Sequence, residues 1–134
     1  MAGYSGTPLA KKLGIKAQAT VFFQNLPKSV RAEIKPALAD AKVANTLKPE
    51  TDFIHGFATS KAELKKDFLL WKKHLAKDGC LWVSWPKKTS GMETDLTGDV
   101  VREIGLNASL VDIKVCAVDD QWSGLKFVFR KEDR

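Results

Sequence analysis

GCLWVSWPKKTSG, residues 79 to 91, passes from an apolar run to a polar loop within a few positions, and that change decides what kind of sheet the chain builds. Cys80, Leu81, Trp82, Val83 and Trp85 lie between Gly79 and Pro86. A short continuous apolar run bounded by glycine and proline suits a central strand covered on both faces better than one with a wet face. Pro86 has no N–H to extend a ladder, so the chain leaves the sheet there. Lys87, Lys88, Thr89, Ser90 and Gly91 then present charge, hydroxyls and a flexible backbone ahead of the next helical pattern. In open α/β sheets a strand end opening into a loop and a helix is where ligands usually bind.

On the N-terminal side of that stretch, Ser60 caps the clearest helical pattern in the chain, with Leu64, Phe68, Trp71 and Leu75 on one face and Gly79 at its end. Lys61, Lys65, Lys66, Lys72, Lys73 and Lys77 carry much of the positive charge on that segment. Before it, Asp52 to Ala58 reads as a mostly buried strand, Ala41 to Leu47 as a weak one, and Ala19 to Phe23 as the first. Ser29 is the expected cap of a helix carrying Val30, Ile34 and Leu38, shortened or kinked by Pro36. Thr7, Pro8 and Gly14 outline a short helix after an N-terminal arm, residues 1 to 14 in all. After the Lys87 loop, Thr94 or Thr97 caps a helix with Leu96, Val100, Val101 and Ile104 inward, and Asp95 and Asp99 stand near its N-terminal dipole. Asp112 to Val118 and Leu125 to Phe129 are strand patterns separated by a short polar turn, which leaves room only for a hairpin. Strands and helices thus alternate until the end, which predicts an α/β fold: three layers around a mostly parallel, Rossmann-like sheet of about six strands, the last antiparallel.

The chain has 134 residues, 44% of them hydrophobic, enough for a single domain, 1 to 134, with its own core. It shows no signal-peptide pattern and no apolar run of membrane-spanning length, so a cytoplasmic location and no membrane association are expected. Cys80 and Cys116 sit in apolar strand patterns and read as packed thiols rather than a disulfide. With His55 and His74 the only histidines, and no close Cys/His spacing, no metal site is expected. The net charge of +6 favours an acidic partner, chiefly a small anionic ligand, with nucleic acid ranking lower.

Two resemblances follow from particular residues. YSGTPLAKKLGIK at 4 to 16, WPKKTSG at 85 to 91, TDLTGDVVRE at 94 to 103 and KVCAVDDQWSGLKFV at 114 to 128 resemble a family of short bacterial proteins carried as a domain of unknown function. That resemblance implies no activity. The closing hairpin is similar to the end of class I S-adenosylmethionine-dependent methyltransferases, which implies the strand order 2-1-3-4-6-5. In that family a glycine-rich turn follows the first strand and an acidic residue for the ribose hydroxyls ends the second. Here Gln24, Asn25, Leu26 and Pro27 follow the first strand, and Lys48 and Pro49 precede the nearest acid, Glu50. No cofactor is therefore expected, and S-adenosylmethionine in particular is not expected to bind.

Lys87, Lys88, Thr89 and Ser90 are candidate ligands for a phosphate or carboxylate, using ammonium groups, hydroxyls and backbone N–H groups near a helix start. Asp119, Trp122 and Ser123 form a second candidate group, an aromatic beside acid and hydroxyl at the hairpin turn. His55 falls within a buried strand pattern, Cys116 near Asp119 has no histidine beside it, and no catalytic constellation emerges. The expected function is non-catalytic binding of a small anionic ligand at the strand carboxyl ends. A homo-oligomeric interaction module, such as a homodimer, and a degenerate methyltransferase-like enzyme are the alternatives.

Overall fold

The computed structural model describes residues 8–134. Its one six-stranded sheet runs in the order β2-β1-β3-β4-β6-β5, with β1 at Thr20–Gln24, β2 at Lys42–Val43, β3 at Thr51–Phe57, β4 at Leu75–Pro86, β5 at Leu110–Ala117 and β6 at Trp122–Phe129. β1 to β4 pair in parallel, while β6 enters antiparallel between β4 and β5. This is the α/β order that the resemblance of the closing hairpin implied.

The helices fall on opposite faces. α1 (Leu9–Leu13) and α2 (Lys28–Leu38) bury Leu9, Leu13, Val30 and Ile34 against Val21, Phe53, Phe57, Trp82 and Trp122. α3 (Lys61–His74) and α4 (Gly98–Asn107) bury Leu64, Phe68, Trp71, Val101 and Ile104 against Ile54, Leu81, Val83, Leu125 and Phe127. Alternate residues of each central strand therefore feed two separate cores, which is why β4 had to be apolar on both faces. Phe53, Trp82 and Phe127 are each 2% exposed or less, so the sheet centre lies where the apolar pattern put it.

Polar anchors fix the layers at each face. The indole N–H of Trp82 donates to the Leu13 carbonyl at 2.8 Å, tying α1 to β4. On the other face, Trp71 packs against Gly56, where a Cβ would come within 2.2 Å of its ring, and its N–H donates to Gln24 Oε1 at 2.9 Å. Gln24 in turn donates to Asp67 Oδ2 at 2.9 Å.

Several boundaries differ from the sequence reading for local reasons. α3 ends at His74, not Gly79: Leu75 is already extended, and Thr51 pairs with Leu75 while Phe53 pairs with Cys80. The four residues Ala76, Lys77, Asp78 and Gly79 thus bulge out opposite Asp52 alone. Gly79 is needed there because a Cβ would approach the Asp52 carbonyl oxygen to 2.6 Å. α2 starts after Pro27, without a side-chain cap from Ser29, and it continues past Pro36 to Leu38. The weak second strand shrinks to Lys42–Val43, both exposed. Thr97, rather than Thr94, caps α4, its Oγ accepting from the Val100 N–H at 3.2 Å. Thr7, the expected cap of α1, lies outside the described residues, as does the arm at 1 to 6. No helix among the described residues is long and apolar enough to cross a membrane.

Candidate functional site

Strand order reverses direction between β1 and β3, so the crevice expected in an open α/β sheet lies above the carboxyl ends of Gln24 and Phe57. Side chains cross this crevice from within. Asn25 holds a left-handed backbone with φ 59° and donates from Nδ2 to the Phe57 carbonyl at 3.2 Å. Beside it, Thr94 Oγ donates to the Thr59 carbonyl at 2.5 Å, and the Lys61 N–H at the start of α3 donates to Asp95 Oδ1 at 2.7 Å. Asp95 therefore serves the N-terminus of α3 rather than that of α4; Asp99 alone remains in the first turn of α4.

A cavity of about 280 Å³ opens one strand further along, above the end of β4. Trp85, Lys87, Lys88 and Thr89 form one side of it, Thr97 and Gly98 at the start of α4 another, and Ser123 at the start of β6 a third. β4 delivers this loop as its proline implied: Lys87 keeps a backbone bond from its N–H to the Gln121 carbonyl at 2.8 Å, after which a tight turn at Lys88–Ser90 leads to Gly91 with φ 76°.

Lys87, Lys88, Thr89 and Ser123 thus come together around one cavity, whereas Ser90, Asp119 and Trp122 do not line it. Ser90 turns its hydroxyl back onto the Lys87 carbonyl at 2.7 Å. Asp119 closes the hairpin, with Oδ1 accepting from the N–H groups of Gln121 and Trp122 at 2.8 and 2.9 Å and Oδ2 from Ser29 at 3.1 Å. Trp122 packs edge-on to Phe57 with ring centres 5.2 Å apart. These three groups are occupied in building the turn and the core. The cavity offers cations and hydroxyls, with no carboxylate or imidazole among the described residues that line it.

One polar pair escaped the sequence reading. His55 is fully buried, its Nε2 lies 2.7 Å from Ser84 Oγ, and its ring stacks on Phe57 at 4.3 Å, while Nδ1 has no partner among the described residues. Burial lowers its pKa to about 3, so the ring is neutral. A serine inside the apolar run of β4 was the available signal, but the pairing needs the strand register. Burial also raises the thiols of Cys80 and Cys116. Among the described residues no group of three or more His, Cys, Asp or Glu side chains is placed to hold a metal ion.

The residues do not fit S-adenosylmethionine in the manner usual for this architecture. Asn25 supplies the left-handed turn, but Leu26 and Pro27 occupy the positions where backbone alone should approach a ligand, and the Asn25–Phe57 bond bridges the opening. β2 ends without an acid. Glu50 immediately precedes β3, and because β1, β2 and β3 are parallel it stands at the opposite end of the sheet from a ribose bound at the carboxyl ends.

The chain matches no protein-family model and no curated protein. Solved structures do resemble it. A TehB-like SAM-dependent methyltransferase from Corynebacterium glutamicum aligns over 96% of this chain and 91% of its own, with a TM-score of 0.55 and 10% identity. A SAM-dependent methyltransferase from Aquifex aeolicus aligns over 89% and 86%, at 0.58 and 18%. The precorrin-6Y C5,15-methyltransferase of Geobacter metallireducens aligns over 91% and 86%, at 0.60 and 9%. Identities this low establish the methyltransferase-like architecture. The alignments also overturn the expected reading as a non-catalytic binder of a small anion, because the structures that share this fold along nine-tenths of the chain are methyltransferases; what the likeness shows of this chain is the fold.

Proposed function

We propose that this protein is a degenerate methyltransferase-like enzyme, one that keeps the architecture and works at the strand carboxyl ends without the usual cofactor cradle. The observation that carries this reading is the strand order β2-β1-β3-β4-β6-β5 with its antiparallel closing strand, shared with methyltransferase structures along almost the whole chain. The cavity above β4 supports it. That cavity lies at the end of the sheet where open α/β sheets bind ligands, and Lys87 and Ser123 bring a cation and a hydroxyl to it from two different strand ends.

The protein's own groups then have definite tasks. Lys87 attracts and orients a substrate carrying negative charge. Ser123 positions it by a hydrogen bond, and Trp85 supplies an apolar wall that excludes water from one side. Among the described residues no carboxylate or imidazole lines the cavity, so proton transfer falls to the substrate, to water or to a lysine at its rim.

The test is nuclear magnetic resonance of labelled protein with mixtures of metabolites and nucleosides, following the protein and the small molecules together. One compound is expected to shift the amides of Lys87, Thr97 and Ser123 and to be replaced in time by a product. A compound that binds there and is recovered unchanged would contradict the enzyme. Shifts confined to the other end of the sheet would contradict the site.

A further inference from the structure

A second and larger cavity, about 370 Å³ in volume, lies at the other end of the sheet, where the amino ends of β1, β3 and β4 diverge. The four-residue bulge of β4 makes it: Asp78 and Gly79 leave the ladder opposite Asp52, and Gly79 is held to glycine by the Asp52 carbonyl, so no side chain fills the floor. The segment joining α1 to β1 forms the roof, turning through Gly14 at φ 80° and through Gln18, a non-glycine residue held at φ 65°.

The charges around this space are balanced and come from different elements. Lys16 belongs to the roof and Lys126 to β6; Asp52 stands at the start of β3 and Asp78 in the bulge. Cys80 lies between them: burial dominates its titration, while Lys126 and Lys16 favour its thiolate and Asp52 opposes it. Two cations and two carboxylates leave a ligand of either single charge facing two like charges, whereas a ligand carrying both signs meets a partner for each. The volume lies at the small end of the range for small-molecule pockets.

We propose that this cavity binds a small zwitterion of the α-amino-acid type, its carboxylate held by Lys16 and Lys126 and its ammonium by Asp52 and Asp78. The site is separate from the one at the carboxyl ends, and it stands or falls independently of the enzyme reading.

Cys80 reports on it directly. Cys116→Ser leaves Cys80 as the only thiol, and its alkylation by iodoacetamide on the folded protein is timed with each of the standard amino acids. At least one is expected to slow labelling saturably, roughly tenfold at about ten times its dissociation constant. The N-acetyl and amide derivatives of that amino acid, each lacking one charge, should leave the rate unchanged, and Asp52→Asn or Lys126→Gln should remove the protection. If no amino acid slows labelling, or if acetate and the N-acetyl derivative protect equally well, the proposal is overturned. Should Cys116→Ser fail to fold, the amide shifts of Gly79 and Cys80 in the wild-type protein, measured with the same compounds, decide between the same two outcomes.

Discussion

Replacing His55 by Leu should remove most of the acid sensitivity of this fold between neutral pH and pH 5. His55 is buried on β3 and titrates at about 3 in the folded protein, against a reference value of 6.5. The depressed value means that the unfolded chain takes up a proton first as the pH falls. Stability is therefore present in full above pH 6.5 and is lost progressively as the pH drops toward 3. Each unit of difference corresponds to about 1.4 kcal/mol, so His55 alone should cost the wild type about 2 kcal/mol at pH 5 and about 4 kcal/mol by pH 3. The Leu variant loses stability differently: Ser84 loses its bond to the His55 ring, at a cost of about 1 to 3 kcal/mol at every pH. Urea melts followed by tryptophan fluorescence, at steps from pH 7.5 to 5, separate the two effects. The curves of stability against pH should converge toward acid, with the variant the flatter. Parallel curves would exclude His55 as the source and place a compensating charge or water beside Nδ1.

Further expectations concern packing and the crevice. Phe127→Ala should cost about 3 to 5 kcal/mol in denaturant melts, since the ring is fully buried and edge-on to Phe68; a loss below about 1 kcal/mol would move β6 from the sheet centre. Gly105→Ala improves helix propensity by about 1 kcal/mol yet should still destabilise, by up to about 2 kcal/mol net, because its Cβ would sit 2.0 Å from the Phe127 ring and overpacking costs more than the propensity gains; an unchanged melting midpoint would contradict that contact. Calorimetric titration with S-adenosylmethionine should show no saturable heat at micromolar concentrations, owing to Leu26, Pro27 and the Asn25–Phe57 bond. Tight one-to-one binding would mean that this crevice opens.

The sheet was legible because its signals are local. Pro86 marks where β4 leaves the ladder, and the few residues between Val118 and Leu125 allow only a hairpin, which sets the antiparallel closing strand. The end of α3 was not legible, because Leu75 continues the helical spacing of Leu64, Phe68 and Trp71; pairing with Thr51 overrides that pattern. The candidate site was half legible for a similar reason. Lys87 and Lys88 follow a proline that fixes their exit, whereas Ser123 joins them only through antiparallel register, and Asp119 was already claimed by its own turn. The His55–Ser84 pair and the cavity under Lys16 depend on which strands are neighbours, information carried by tertiary packing rather than by any one stretch.

Turnover is the sharpest test of an enzyme at the carboxyl ends of this sheet. The wild-type protein and a Lys87→Ala/Ser123→Ala variant are incubated with a metabolite extract supplemented with nucleosides, and the mixture is followed by mass spectrometry. Both side chains border the cavity at the surface, so the variant should keep its fold, which circular dichroism checks. The wild type should consume one compound and form a product, with both changes lost or slowed at least about tenfold, a barrier change of about 1.4 kcal/mol, in the variant. Equal consumption by the two proteins, or none by either, would contradict catalysis at that site.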